Sequence, residues 1–205
     1  MKPKLLLCLA LVLSGNCHAA IVYPKAPDGG RQIVIENVGE FLPAGLRVEE
    51  LTIGEPYESY YVGPTNLASG KFLSAAKSRS GHWTYLIMHG TNDFGAMALM
   101  ADEKYGNKLE FASFAESAKQ ILQALKMAEQ LPQIKKQDYE FRLLWCSSIL
   151  FEAVWLHGKS DDIIIPLGAT FGRWNALQPY SESQMVKLLK PEAKKKLKEP
   201  PGMID

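Results

Sequence analysis

Cysteine is scarce in this chain of 205 residues, which contains three: Cys8, Cys17 and Cys146. The first two lie in a segment that we expect to be removed, so the mature protein would keep Cys146 alone. A single cysteine cannot form an internal disulfide, and a metal site built from several thiolates is excluded for the same reason. The fold must therefore be held together by its hydrophobic core.

A hydrophobic run long enough to span a bilayer is also missing. Leu5–Leu13 is shorter than the roughly 20 apolar residues that a spanning helix needs. Lysines precede this run, and Cys17 and Ala19 are the small residues expected just before a cleavage point after Ala19. We therefore predict that residues 1–19 are the signal peptide of a periplasmic or secreted bacterial protein, with no stable membrane insertion after cleavage.

Two other interpretations of this N-terminal segment stay open. It could be an uncleaved signal anchor, which the shortness of the apolar run disfavours. It could also be a lipoprotein signal in which Cys17 is modified, although Asn16 stands where a small residue should precede that cysteine. We prefer a cleaved, soluble product.

An excess of charge of one sign is lacking as well, since 23 lysines and arginines face 22 aspartates and glutamates. Such a balanced chain has no overall field that attracts nucleic acid or an anionic membrane, so we predict neither as a partner. The one basic cluster, Lys194–Lys196 with Lys198, lies close to the C-terminus. We assign 191–205 as a solvated basic tail.

The motifs of the common catalytic centres are absent from the sequence. There is no Gly-x-Ser-x-Gly motif for serine chemistry, and no complete phosphate-binding loop. The histidines of the mature chain, His82, His89 and His157, lack the short spacings that are typical of a zinc site. We therefore predict no metal and no cofactor.

The rest of the chain predicts one α+β domain over 33–190, preceded by a flexible lead-in rich in proline and glycine at 20–32. Ile33–Ile35 has the apolar character of a first short strand. Near the other end, 180–199 predicts two short helical turns separated at Pro191.

The middle of the chain predicts an antiparallel sheet. The segments 83–89 and 94–100 flank a turn and indicate a β-hairpin, which 109–114 extends into a meander. The segment 139–146 is strand-like, and 163–168 indicates a further strand whose proline favours an edge position.

A long amphipathic helix is predicted after the meander. Ser113 and Glu116 form a capping box, and Pro132 ends the helix. Apolar residues recur between them at helical spacing: Phe114, Ala118, Ile121, Leu122, Leu125 and Ala128. We expect this apolar stripe to pack on the sheet.

The densest chemistry lies in WCSSILFEAVWLHG at 145–158, which we interpret as a continuation of the preceding strand. A Cys146–His157 nucleophile pair is then impossible, because the two side chains would be tens of ångströms apart. Strand alternation puts Cys146 and Glu152 on one face and His157 on the other. A helix from Ser148 to His157 stays open as an alternative.

Glu152 lies between apolar neighbours in that stretch, so its carboxylate must face water, pair with a cation such as Arg142, or carry a raised pKa. The plain interpretation is a solvent-facing or salt-paired strand residue. The sharper hypothesis is a general acid or base in a cleft.

Tyrosines are concentrated in PYESYYVGP at 56–64. Tyr57, Tyr60 and Tyr61 combine large rigid rings with a polar tip, a property used at binding surfaces. Packing on a sheet edge is the plainer explanation.

These observations favour an exported, non-catalytic protein that binds an envelope or secreted protein or a small ligand. Its candidate binding residues are Tyr57, Tyr60, Tyr61, Glu152 and His157. The alternative is a periplasmic hydrolase whose site is assembled from distant residues around Glu152 and a histidine, either His89 or His157.

Overall fold

The computed structural model describes residues 20–25, 27–42, 44–89, 94–114, 116–169 and 172–199, so the predicted signal peptide and the end of the predicted basic tail lie outside it. The described chain forms four helices, α1 to α4, at Gly30–Asn37, Pro64–Ser69, Glu116–Ala128 and Glu182–Lys196. It forms nine strands, β1 to β9, at Ile21–Val22, Leu51–Tyr61, Lys77–Ser78, His82–His89, Phe94–Ala101, Lys108–Phe114, Tyr139–Cys146, Phe151–Gly158 and Asp162–Pro166. No helix in these ranges is both long enough and apolar enough to cross a membrane.

The strands form one mixed sheet, and with the helices they make an α+β fold. Seven strands follow the order β6-β5-β4-β2-β7-β8-β9, while β1 pairs with β7 and β3 with β2. Most neighbours are antiparallel, but β1 and β2 run parallel to β7. The prediction of an antiparallel sheet is wrong at these two pairs, because they join segments far apart in the chain and no local pattern records their direction.

The hairpin and meander predicted in the middle of the chain are confirmed. β4 pairs with β5 from His82 opposite Ala101 to His89 opposite Phe94, and β6 follows as the third strand. The strand predicted at 139–146 is β7, and β9 ends the sheet order, as its proline suggested. These elements depend on short-range alternation and turns, which the sequence displays directly.

Ile33–Ile35, predicted as a strand, lies in α1 instead. Val34 is buried in this helix and Val38 is buried one turn later, where both join a core with Ile87 and Met100. A run of three apolar residues fits a short strand and a buried helix equally well, so periodicity could not decide between them. Packing on the β4–β5 part of the sheet is what selects the helix.

The start of the described chain lies against β7. β1 pairs in parallel with Tyr139 and Glu140, and the backbone N–H of Ala20 donates to Asp138 Oδ1 at 2.9 Å. The sequence predicts a flexible lead-in here, but hydrogen bonds of the backbone hold the start of this segment in place. Such bonds leave no trace in the side-chain pattern.

The C-terminal region forms one helix rather than two short turns. α4 begins with a capping box between Ser181 and Gln184 and continues through Pro191 to Lys196. It packs against α2 and buries three apolar residues at helical spacing: Met185, Leu189 and Ala193. This burial offsets the hydrogen bond that Pro191 cannot donate, a defect that costs about 3 kcal/mol in a helix interior.

The strands β7, β8 and β9 bury apolar side chains on both faces of the sheet. On one face, here called the α3 face, α3 covers a core that includes Phe141, Leu143, Val154, Leu156 and Ile165. On the other, here called the α4 face, α2 and α4 cover Leu144, Cys146, Phe151, Ala153 and Ile164. Successive side chains of each strand therefore point alternately into two different cores.

Candidate functional site

The segment WCSSILFEAVWLHG folds back on itself instead of continuing as one strand. β7 ends at Cys146, a 3-10 turn occupies Ser147–Ile149, and β8 begins after Leu150. Leu150 has a φ of 49°, a left-handed conformation that leucine rarely adopts. The prediction of a continuous strand is wrong because this turn contains none of the glycine, asparagine or proline that normally marks one.

The reversal changes which side chains share a face. Cys146 pairs with Phe151 on the α4 face, whereas Glu152 pairs with Trp145 on the α3 face. His157 returns to the α4 face with Trp155, two residues before it. The predicted sharing of a face by Cys146 and Glu152 is therefore wrong, because the turn shifts the alternation between the two strands.

Cys146 and His157 now share a face but do not form a catalytic pair. In the sheet, Cys146 is paired with Phe151. The Cα atoms of Phe151 and His157 are about 20 Å apart along β8, at about 3.3 Å per residue. The thiol is 1% exposed and lies 3.5 Å from Ser148 Oγ. Burial raises its pKa, so Cys146 packs as a small apolar group.

A row of three side chains crosses the sheet on the α3 face, and we call it the Glu152 strip. Tyr61 of β2 pairs with Trp145 of β7, which pairs with Glu152 of β8. Trp145 packs against the α3-face core, and Tyr61 is 46% exposed. The strip thus combines two aromatic rings and one carboxyl group on three adjacent strands.

The carboxyl group of Glu152 has no hydrogen-bond or ion-pair partner in the described part of the chain, and its Oε1 atom is buried there. Arg142, the predicted partner, belongs to the α4 face and binds Glu140 instead. Burial raises the pKa of Glu152 to about 7. The carboxyl group therefore exchanges its proton near neutral pH, as the sharper of the two sequence hypotheses required.

Two more buried polar atoms on this face lack a partner among the described residues. Tyr57 is fully buried, its ring meets Phe141 edge-on at 4.8 Å, and its hydroxyl makes no hydrogen bond. The Nε1–H group of Trp145 is likewise unpaired. Burial and, to a smaller extent, the charge of Glu152 raise the pKa of Tyr57. The phenol and the carboxyl group are therefore close enough to interact electrostatically.

Tyr60 and His157 lie on the α4 face, away from the Glu152 strip. There the guanidinium of Arg142 is 4.7 Å from the ring centre of Tyr60 and 4.6 Å from that of Trp155. Its Nε donates to Glu140 Oε1 at 2.7 Å. We call Tyr60, Glu140, Arg142 and Trp155 the Arg142 cluster. It contains a cation, a carboxylate bound to that cation, and two aromatic rings.

His157 adjoins this cluster and is bound to an aspartate. Its Nδ1 lies 2.8 Å from Asp162 Oδ1, which also accepts a hydrogen bond from Trp155 Nε1 at 2.8 Å. Asp162 therefore orients both rings. A histidine and a carboxylate do converge here, but the carboxylate is not Glu152.

The two histidines considered as partners of Glu152 are both placed away from it. His157 is on the opposite face of the same strand, and His89 lies at the other end of the sheet, opposite Leu51 and 3.6 Å from Glu50. Across the described ranges, no three His, Cys, Asp or Glu side chains are grouped so as to hold a metal ion. Neither histidine is therefore placed to form an acid–base pair with Glu152.

The structure sorts the five predicted residues into two groups, with Tyr57, Tyr61 and Glu152 on the α3 face and Tyr60 and His157 on the α4 face. Sequence reasoning missed the aromatic partners of both groups, Trp145 and Trp155. Both tryptophans alternate with aliphatic residues, a pattern typical of a core strand. The pairing of Trp145 with Glu152 and of Trp155 with Arg142 depends on the register of β7 on β8, which a correctly placed turn after Cys146 would have predicted.

A cavity of about 420 Å³ opens elsewhere, between α1 and the start of β2. Its lining combines apolar and charged residues: Arg31, Ile35, Val48, Glu49, Leu51, Thr52 and Ile53. Arg31 is already bound to Glu55 at 2.6 Å, and no lining residue is among those with an unpaired buried polar atom. The Glu152 strip is the better candidate because its polar groups are unsatisfied.

Comparison with known proteins adds no assignment, since no protein-family model, no curated protein and no solved structure matches this chain. The functional proposal therefore rests on the geometry of the strip.

Proposed function

We propose that this protein is an exported, non-catalytic binding protein that holds a small ligand on the Glu152 strip. The observation that carries the proposal is the lone carboxyl group of Glu152, which is half-buried next to Trp145, on the same face as Tyr61, and without a partner among the described residues. A carboxyl group at such a position is costly to the folded protein unless something else contacts it.

The energetics favour a bound partner. A buried polar atom without a hydrogen bond costs about 1–3 kcal/mol, and Tyr57, Trp145 and Glu152 each carry one on the same face. A ligand that contacts Glu152 and orders the groups around it recovers part of this cost. Because the three side chains stand on paired strands, little conformational entropy is lost when the ligand binds.

Binding is better supported than hydrolysis. Glu152 could exchange a proton near neutral pH, but a hydrolase also needs a nucleophile or a second proton-transfer group within hydrogen-bond reach. The described residues offer neither beside Glu152, and the single cysteine is buried on the other face. The carboxyl group is therefore used for recognition.

The proposal is tested with the mature chain, residues 20–205, by ligand-detected NMR against five probes: glucose, alanine, acetate, n-butanol and n-butylamine. We expect at least one probe to bind, and its binding to be lost in the double variant Trp145→Ala, Glu152→Ala. The matched control is Glu140→Gln, on the adjacent strand but the opposite face.

Failure of every probe to bind would refute the function, as would binding that is unchanged in the double variant. Turnover of a generic ester or peptide panel that is lost in Glu152→Gln would replace it with the hydrolase.

A further inference from the structure

The Arg142 cluster and the Glu152 strip are built from the same parts, with one difference. The cluster has a carboxylate, a tyrosine, a tryptophan and a cation, which is the guanidinium of Arg142. The strip has a carboxyl group, a tyrosine and a tryptophan, in register across the same three strands. What the strip lacks is the cation.

Several other buried or partly buried carboxylates of the described chain have a cationic partner. Arginine is bound to each of four glutamates: Glu50 by Arg47, Glu110 by Arg79, Glu140 by Arg142 and Glu192 by Arg173. Glu152 differs from these four, since no ion pair or hydrogen bond from a described residue reaches its carboxyl group. A mobile cation would give Glu152 the kind of partner that these four glutamates have.

We infer that the Glu152 strip binds an ammonium group, with the carboxylate of Glu152 as its counter-ion and the rings of Trp145 and Tyr61 as its walls. Aromatic faces attract cations through the negative potential above the ring, and the attraction strengthens where water is excluded. The inference rests on the proposed function and specifies the chemical class of its ligand.

The charged and titratable groups around the strip do not pair with the carboxylate of Glu152, so a ligand can. On the same face, β2 contributes the phenols Tyr57 and Tyr61, and β3 places Lys77 opposite Tyr61. The helix on this face, α3, carries Lys119 and Lys126. Burial is the cause of the raised pKa of Glu152, and none of these lysines lowers it. Arg79 acts on Tyr61 of the strip but is bound to Glu110. The described residues therefore supply no cation to the carboxylate of Glu152.

The pH dependence of binding distinguishes a cationic ligand from a neutral one. An ammonium group binds the ionised carboxylate, whose fraction rises as the pH passes the pKa of Glu152, about 7. Binding to the ionised form alone makes the affinity about tenfold higher at pH 8 than at pH 6, since that fraction changes by about this factor. A neutral hydroxyl ligand held by the protonated acid would show the opposite trend.

The experiment measures dissociation constants of n-butylamine and its uncharged analogue n-butanol at pH 6 and pH 8, by ligand-detected NMR on the mature chain. We expect butylamine to bind about tenfold more tightly at pH 8, and butanol to bind more weakly than butylamine at that pH. Glu152→Gln should lose at least tenfold in butylamine affinity together with the pH dependence. Glu140→Gln should retain both.

The outcomes separate this inference from the proposed function. If butanol binds as tightly as butylamine, or if affinity falls from pH 6 to pH 8, the ammonium inference is overturned while the binding function stands. The ammonium inference is likewise overturned if glucose, alanine or acetate binds to the strip and butylamine does not. If none of the five probes binds, both are refuted. The fold of Glu152→Gln is checked by circular dichroism, and the glutamine keeps the shape of the side chain.

Discussion

Replacing Glu152 by glutamine is expected to stabilise the ligand-free protein at neutral and alkaline pH. The wild-type carboxyl group is half-buried without a partner among the described residues, so ionisation in the folded state leaves a poorly solvated charge. Glutamine has nearly the same shape and never ionises. The substitution therefore removes the cost of the charge and leaves the packing intact.

The size and sign of the effect follow from the pKa. The carboxyl group titrates at about 7 when folded and at about 4.5 when unfolded. Between these values the folded protein holds the additional proton, so the free energy of unfolding falls as pH rises and then levels off above pH 7. A difference of about 2.5 between two pKa values corresponds to about 3 kcal/mol. Partial exposure of the side chain to solvent reduces this to about 1–2 kcal/mol.

The assay is urea unfolding of wild type and Glu152→Gln at pH 4.5, 6, 7 and 8. We expect equal stability at pH 4.5 and an advantage of about 1–2 kcal/mol for the variant at pH 8. Glu140→Gln serves as the control and should show no such gain, because Glu140 already binds Arg142. A difference that does not change with pH would show that folding does not raise the pKa of Glu152, and a less stable variant at pH 8 would show that its carboxylate is paired. Either result would remove the basis of the site.

Three further predictions concern the same sheet. Arg142→Ala should lose about 1–2 kcal/mol and red-shift the emission of Trp155, because the guanidinium covers that ring; a loss no larger than that of Arg79→Ala would contradict this. Cys146 should react with a thiol reagent only as fast as the protein unfolds, since the thiol is buried, and immediate labelling of the native protein would refute its placement. Leu150→Gly should raise the midpoint of thermal unfolding by stabilising the protein by about 0.5–1 kcal/mol, because glycine adopts the φ of 49° without strain; a lowered midpoint would count against that turn.

The elements that could be predicted from the sequence are those in which one short segment carries the whole signal. The hairpin of β4 and β5 was predicted by two apolar runs around a turn, and β7 by its own alternation. The predictions of a strand at Ile33–Ile35 and of a continuous strand through Leu150 were wrong because neither segment carries a clear local signal. Three apolar residues are too few to show a helical or strand period, and the turn at Leu150 contains none of the residue types that usually mark a turn.

The candidate site could be predicted only in part. Glu152 was singled out because a carboxylate among apolar residues demands an explanation, and Tyr61 because tyrosine is common at binding surfaces. Their assembly with Trp145 could not be predicted, because it depends on the parallel contact between β2 and β7. The same contact, seen from the other face, brings Tyr60 to Arg142.

By itself, the sequence determined the kinds of segment from which this protein is built: an apolar N-terminal run, a meander in the middle and one cysteine beyond residue 19, Cys146. It also singled out Glu152 as a carboxyl group among apolar neighbours, whose surroundings had to be explained. Only the tertiary structure decided that Tyr60 and Tyr61, neighbours in the chain, lie on opposite faces. It also decided that Glu152 shares a face with two aromatic rings and has no cationic partner among the described residues. The physical reason is that local patterns record the period of a strand, whereas the direction and register of its pairing depend on hydrogen bonds between segments far apart in the chain.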